Sequence, residues 1–149
     1  MNGNSLSESE PVFRAVLEGG GVFTLQPRGN SMLPTIRPGR DTVHIVRLEG
    51  RANLYDILFY QRPDGRFVLH RVIRVEADSY TLCGDCQVEP EEGVTQDRVI
   101  GVVASIQRPD GTLVRGTRAF AVAGRRRLRS LPFRRLRSRI GRLLRGRAR

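Results

Sequence analysis

Ser31 lies in Asn30-Ser31-Met32-Leu33-Pro34, a loop punctuated by Gly29, Pro34 and Pro38, and His70 follows 39 residues later in the apolar run Val68-Leu69-His70-Arg71-Val72. A serine hydroxyl is an effective nucleophile near neutral pH only when a neighbouring base takes its proton, and an imidazole titrates in the range that allows this. The chain contains no lysine, because all 26 of its basic residues are arginine. A Ser–Lys pair is therefore excluded within this polypeptide, and the base for Ser31 is His44 or His70. Each residue also has an ordinary reading. A serine between asparagine and a proline turn commonly caps a turn. A strand histidine commonly satisfies a core, and Asp85 in Cys83-Gly84-Asp85-Cys86 is by itself a turn residue.

The elements that must position these groups are short and mostly extended. Pro11 to Glu18 has apolar residues at helical spacing, with a proline near its start and Gly19-Gly20-Gly21 as its stop. Strands are expected over Val22–Gln26, Thr42–Val46, Asp56–Gln61, Arg66–Val75, Ser79–Cys83 and Val99–Ile106. Pro63-Asp64-Gly65 reads as a hairpin turn, and Pro109-Asp110-Gly111 as another turn. Short strands with regular turn signals predict a mainly β domain, either a coiled antiparallel sheet or an open barrel. At 149 residues the chain is long enough for one domain with its own core.

Four segments, in order, resemble the conserved boxes of signal peptidases and LexA-like serine peptidases. Gly29-Asn30-Ser31-Met32-Leu33-Pro34-Thr35-Ile36-Arg37-Pro38-Gly39 resembles the nucleophile box, and Asp56-Ile57-Leu58-Phe59-Tyr60 a "Gly-Asp-Ile-Val-x-Phe" strand with Tyr55 in the glycine's place. Val68-Leu69-His70-Arg71-Val72-Ile73 resembles the "His-Arg-Val" box of the subgroup that uses histidine as base, which includes endoplasmic-reticulum and archaeal signal peptidases. Cys83-Gly84-Asp85 resembles a "Lys-Gly-Asp-Asn" box, with Val99-Ile100-Gly101-Val102-Val103 as the strand after it. The resemblance spans about Val22 to Ile106. It implies a LexA/signal-peptidase-type fold and a serine endopeptidase in which Ser31 attacks the scissile carbonyl and His70 is general base. In that scheme Asp85 orients His70, Met32 lines the substrate groove and Pro34 fixes the exit of the loop. The chain departs from the pattern at Gly29, Cys86 and Gln87. Where the histidine subgroup carries a second aspartate, this chain has Glu89, Glu91 and Glu92. The alternative is a non-catalytic or regulatory protein that retains the fold. Only about 20 residues precede the first strand, too few for a helix-turn-helix segment.

Charge divides the chain. From Gly124 to Arg149 there are 12 arginines and no acid, leaving 14 arginines against 15 acids in residues 1–123, a net of −1. The basicity thus belongs to the tail, where Leu136, Ile140, Leu143 and Leu144 recur at helical spacing among arginines. The expected organisation is a disordered 1–10, a β domain over 11–123 and a separate amphipathic arginine-rich tail over 124–149, with Pro132 at a boundary. The expected partners are a peptide or protein substrate and, through the tail, an anionic membrane surface, with nucleic acid the lesser expectation and the chain a monomer. No apolar run approaches the roughly 20 residues that span a bilayer, and the polar start lacks the features of a secretory signal. A cytoplasmic or peripheral inner-membrane location is expected. Cys83 and Cys86 have no histidine nearby, so no metal and no cofactor is expected.

Overall fold

The computed structural model describes the backbone of residues 9–146, and the side chains of that span other than 117, 118, 133 and 136–146. Helix α1 (Glu10–Glu18) precedes strands β1 (Phe23–Leu25), β2 (Thr42–Val46), β3 (Ile57–Gln61), β4 (Phe67–Val75), β5 (Ser79–Cys83), β6 (Glu91–Thr95), β7 (Val99–Gln107) and β8 (Leu113–Arg115). Helix α2 (Gly116–Gly146) closes the chain, and a 3₁₀ turn (Gln96–Arg98) links β6 to β7. All strand pairs are antiparallel, in the order β1-β2-β7-β3-β4-β5-β6 with β8 added to β7. The architecture is a mainly β, open sheet with one short helix before it and one long helix after it. Among the described residues no helix is long and apolar enough to cross a membrane.

Both faces of the central strands are covered, which is why β3 reads as an unbroken apolar run rather than an alternation. Ile57 and Phe59 join one cluster with Met32, Ile36, Leu69 and Phe120, while Leu58 and Tyr60 join a second with Val72, Tyr80 and Leu82. Helix α1 carries Pro11 in its first turn, which the fixed φ of proline suits, and buries Phe13 and Leu17 on one face. The Phe13 ring sits 4.5 Å from Phe23 and 5.5 Å from Phe67, tying the helix to the sheet. Gly101 makes that approach possible. A Cβ there would lie 2.7 Å from Ile45 and 2.9 Å from Leu17, so no larger residue fits in this stretch of β7 without displacing its neighbours.

Six expected strands are present with boundaries within a residue or so, and two more appear. The β6 segment Glu91-Glu92-Gly93-Val94-Thr95 is too polar to announce itself, and pairing with β5 makes it a strand. The β8 segment is only three residues long and completes the turn after β7. The largest difference is α2. It starts at Gly116 and continues through Pro132, so the expected division at residue 124 falls inside a continuous helix. Its first part packs on the body through buried Phe120 and Leu131, and Gly124 abuts the Tyr55 ring, where a Cβ would lie 2.5 Å from Cδ1. Tyr55 has φ 78°, a conformation disfavoured for bulky residues. It occupies the position for which the resemblance has glycine, and the ring that replaces the missing glycine becomes the platform for α2.

Candidate functional site

The Ser31 segment is a tight loop held from below. The Leu33 N–H donates to Asn30 O at 3.1 Å and the Ile36 N–H to Met32 O at 2.9 Å, giving one turn-like coil around Ser31. Met32 and Ile36 are 3% and 1% exposed and anchor the loop in the first core cluster. Met32 therefore does not line a surface groove, as the resemblance implied. Apolar burial draws its side chain under the loop instead. Pro34 is exposed, after a cis Leu33–Pro34 bond, and Ser31 itself is half-buried. Among the described residues, no hydrogen bond uses the Ser31 or Met32 N–H, the donors available to an oxyanion beside Ser31.

The loop rests on the turn that follows β5. The Cys86 N–H donates to Ser31 O at 2.7 Å, and Gly84 comes so close that a Cβ would lie 2.7 Å from the same oxygen. Cys83 pairs with Arg71 at the end of the β4–β5 ladder, and the turn that carries Gly84 follows it. Among the described residues no hydrogen bond joins the Ser31 hydroxyl to a ring nitrogen of His70. Substituting Gly84→Ala should push the loop off this turn, at a cost of about 1–3 kcal/mol, the usual range for overpacking. A urea titration would measure that loss. Stability within about 0.5 kcal/mol of the wild type would contradict the contact.

His70 and Arg71 are consecutive in β4 and so point to opposite faces. The register places His70 opposite Leu58 and Arg71 opposite Ile57, one in each cluster. His70 is 1% exposed. Its Nδ1 lies 3.1 Å from the Tyr60 hydroxyl and 3.3 Å from Glu91 Oε1. Arg62 Nε donates to both Glu91 carboxylate oxygens at 2.9 and 3.0 Å, and its Nη2 makes a further short contact, so the carboxylate is fixed. Nε2 of His70 has no protein partner among the described residues.

Burial is the main cause that pulls the His70 pKa from 6.5 to about 4, opposed by the charge of Glu91. The imidazole is neutral at pH 7, so its contact with Glu91 is that of a neutral ring with a carboxylate rather than an ion pair. Burial raises the Glu91 carboxyl, but hydrogen bonds from Arg62 and Tyr60 more than offset this and leave it below the ordinary value. Burial and the nearby Glu91 push the Tyr60 phenol far upward, so it stays a hydrogen-bond donor.

These shifts fix a pH dependence of folding. Below pH 6.5 the unfolded chain protonates His70 while the folded one does not, so stability falls as pH drops from about 6.5 towards 4. The difference is worth about 3 kcal/mol at its limit. Urea midpoints measured across this window should fall with pH in the wild type and more shallowly in His70→Gln.

Asp85 is not the partner of His70. Arg71 Nε donates to its Oδ1 at 2.8 Å and Arg71 Nη2 to its Oδ2 at 2.7 Å, and the Thr35 hydroxyl makes a short contact with Oδ2. The two charged side chains are 1% and 2% exposed. Arg71 Nη1 also donates to Tyr55 O at 3.0 Å and Phe120 O at 2.9 Å. Asp85 and Arg71 thus clip together the Ser31 loop, the Tyr55 turn and α2. The reason is the strand alternation: Asp85 belongs with Arg71's face, so the group beside His70 comes from β6, a strand that its own sequence does not announce. The histidine subgroup's later acid was the signal that could have led to Glu91. His44, the other candidate base, has its Nδ1 2.8 Å from Ser105 Oγ, the residue opposite it in β7.

Helix α2 also reaches the site's edges. Arg127 donates to Leu33 O at 2.7 Å, Arg134 to Gln87 O at 2.9 Å and Arg135 to Val88 O at 3.1 Å. Cys83 is buried and Cys86 exposed, both as free thiols. Burial raises the Cys83 thiol above its ordinary pKa, which keeps it unreactive. No cluster of His, Cys, Asp and Glu suited to a metal occurs among the described residues. Neither a protein-family model nor a curated protein matches this chain.

Proposed function

We propose that this chain is a signal-peptidase-like serine endopeptidase in which Ser31 is the nucleophile, His70 the general base and Glu91 the group that orients His70. The observation that carries the reading is the state of the imidazole. Its Nδ1 faces a carboxylate fixed by Arg62, while Nε2 has no protein partner among the described residues. With the proton on Nδ1, directed at Glu91 or the Tyr60 oxygen, the Nε2 lone pair is the basic site for a serine hydroxyl. Ser31 attacks the scissile carbonyl as His70 takes its proton. The resulting imidazolium is stabilised by Glu91 and then returns the proton to the leaving amine. The Ser31 and Met32 N–H groups are available to the oxyanion. Asp85 contributes by holding the Ser31 loop through Thr35 rather than by touching the imidazole. An extended peptide is the substrate class, since peptidases of this kind take substrate as an added strand.

A serine-directed acylating probe tests the assignment. The wild type should be labelled at Ser31, Ser31→Ala should not be labelled, and His70→Ala should label far more slowly. Equal labelling of wild type and Ser31→Ala would reject the enzyme and favour a non-catalytic protein on the same framework.

A further inference from the structure

We infer that the outward face of helix α2 is a docking surface for an anionic phospholipid bilayer. The inward face is defined by Phe120, Gly124 and Leu131, which are buried, and by Arg127, Arg134 and Arg135, whose guanidiniums reach carbonyls of the body. At about 100° per residue, the opposite side of the helix carries Val122, Arg125, Arg126 and Arg129. All four of these are exposed, Val122 by 55%. Among the described residues, none of the six arginines from Arg125 to Arg135 meets a carboxylate, whereas Arg14, Arg37, Arg62, Arg71 and Arg108 in the body all do. No acid exists between Gly124 and Arg149 to neutralise them from within the helix.

The helical backbone continues unbroken to Gly146. In the sequence, Leu136, Ile140, Leu143 and Leu144 recur at helical spacing among arginines. The segment thus joins an exposed arginine face to a helically spaced apolar set in its sequence. That pairing suits a bilayer. Guanidiniums meet headgroup phosphates while apolar positions enter the acyl boundary, a combination for which a nucleic acid offers no apolar counterpart. Because Arg127 on the inward face holds Leu33 O, a docked helix would keep the Ser31 loop close to the membrane surface.

Sedimentation of the full chain with phosphatidylcholine vesicles, with and without phosphatidylglycerol, reads this directly. Binding should require the anionic lipid and weaken with salt. The triple variant Arg125→Gln, Arg126→Gln, Arg129→Gln removes side chains that make no hydrogen bond or ion pair among the described residues, and should bind roughly 100-fold more weakly, at about fivefold per arginine. The variant Leu143→Gln, Leu144→Gln should also bind the vesicles more weakly, while binding labelled duplex DNA or RNA no differently from the wild type. Circular dichroism confirms that each variant is folded. Failure of the wild type to sediment with anionic vesicles, full binding by either variant, or tighter binding to duplex than to vesicles would overturn the inference. Vesicle binding involves no cleavage step, so its loss would leave the Ser31 assignment untouched, and loss of probe labelling would leave vesicle docking untouched.

Discussion

Ser31→Ala should lower peptide-bond cleavage by roughly 10⁴- to 10⁶-fold, and His70→Ala by a similar factor. The double variant should be no worse than either single one, because nucleophile and base act as one unit. Glu91→Gln keeps size and hydrogen bonding but removes the charge that steadies the imidazolium, and should cost roughly 10²- to 10⁴-fold in kcat with little change in KM. The pH profile separates this from a merely structural effect. Since burial holds His70 at about 4, kcat/KM should rise with pH through a value near 4, far below the ordinary histidine range. Removing the Glu91 charge, which favours the protonated ring, should move that inflection further down. A profile with its acid limb near 6.5, or Glu91→Gln as active as wild type, would refute this constellation.

Arg71→Ala should be the most destabilising single change in the described body. It leaves Asp85 as an unpaired buried carboxylate and removes the donors from Tyr55 O and Phe120 O. Breaking one side of a buried ion pair costs about 3–5 kcal/mol, which lowers the melting temperature by on the order of 10 °C for a chain of this size. Asp85→Ala should cost about as much, with Arg71 then the unpaired charge. The double variant Arg71→Met, Asp85→Leu should be less destabilised than the two single changes added together, because no buried charge is left alone. Melting curves of the four proteins complete the cycle. Additive losses, or an Asp85→Ala protein within about 0.5 kcal/mol of wild type, would mean that the clip does not carry this stability.

Much of this chain is legible without coordinates. Thr42 to Ile45 alternate polar and apolar, Ile57 to Tyr60 form a short apolar run and Pro63-Asp64-Gly65 marks a turn, so local chemistry alone suffices to place the strands β2, β3 and β4. The absence of lysine likewise restricts any base for Ser31 to two histidines before a single contact is known. The charge division between residues 1–123 and 124–149 is equally a property of composition.

Tertiary structure decided what each polar group faces. Strand alternation sends His70 and Arg71 to opposite sides, so Asp85, adjacent to the site in sequence pattern, pairs with Arg71, while Glu91 reaches His70 from a strand that exists only because β5 offers it an edge. The same holds for Met32, which reads as a groove residue beside a nucleophile but is pulled under the loop by the core. It holds again for Pro132, which lacks the N–H a helix interior needs and reads as a boundary. Packing of Phe120, Gly124 and Leu131 against the body keeps α2 running across it. Residue types and spacing determine which chemistry is available and where strands begin. The partners of a buried charge and the length of a docked helix are set by long-range contacts whose energies exceed the local preferences of the residues involved.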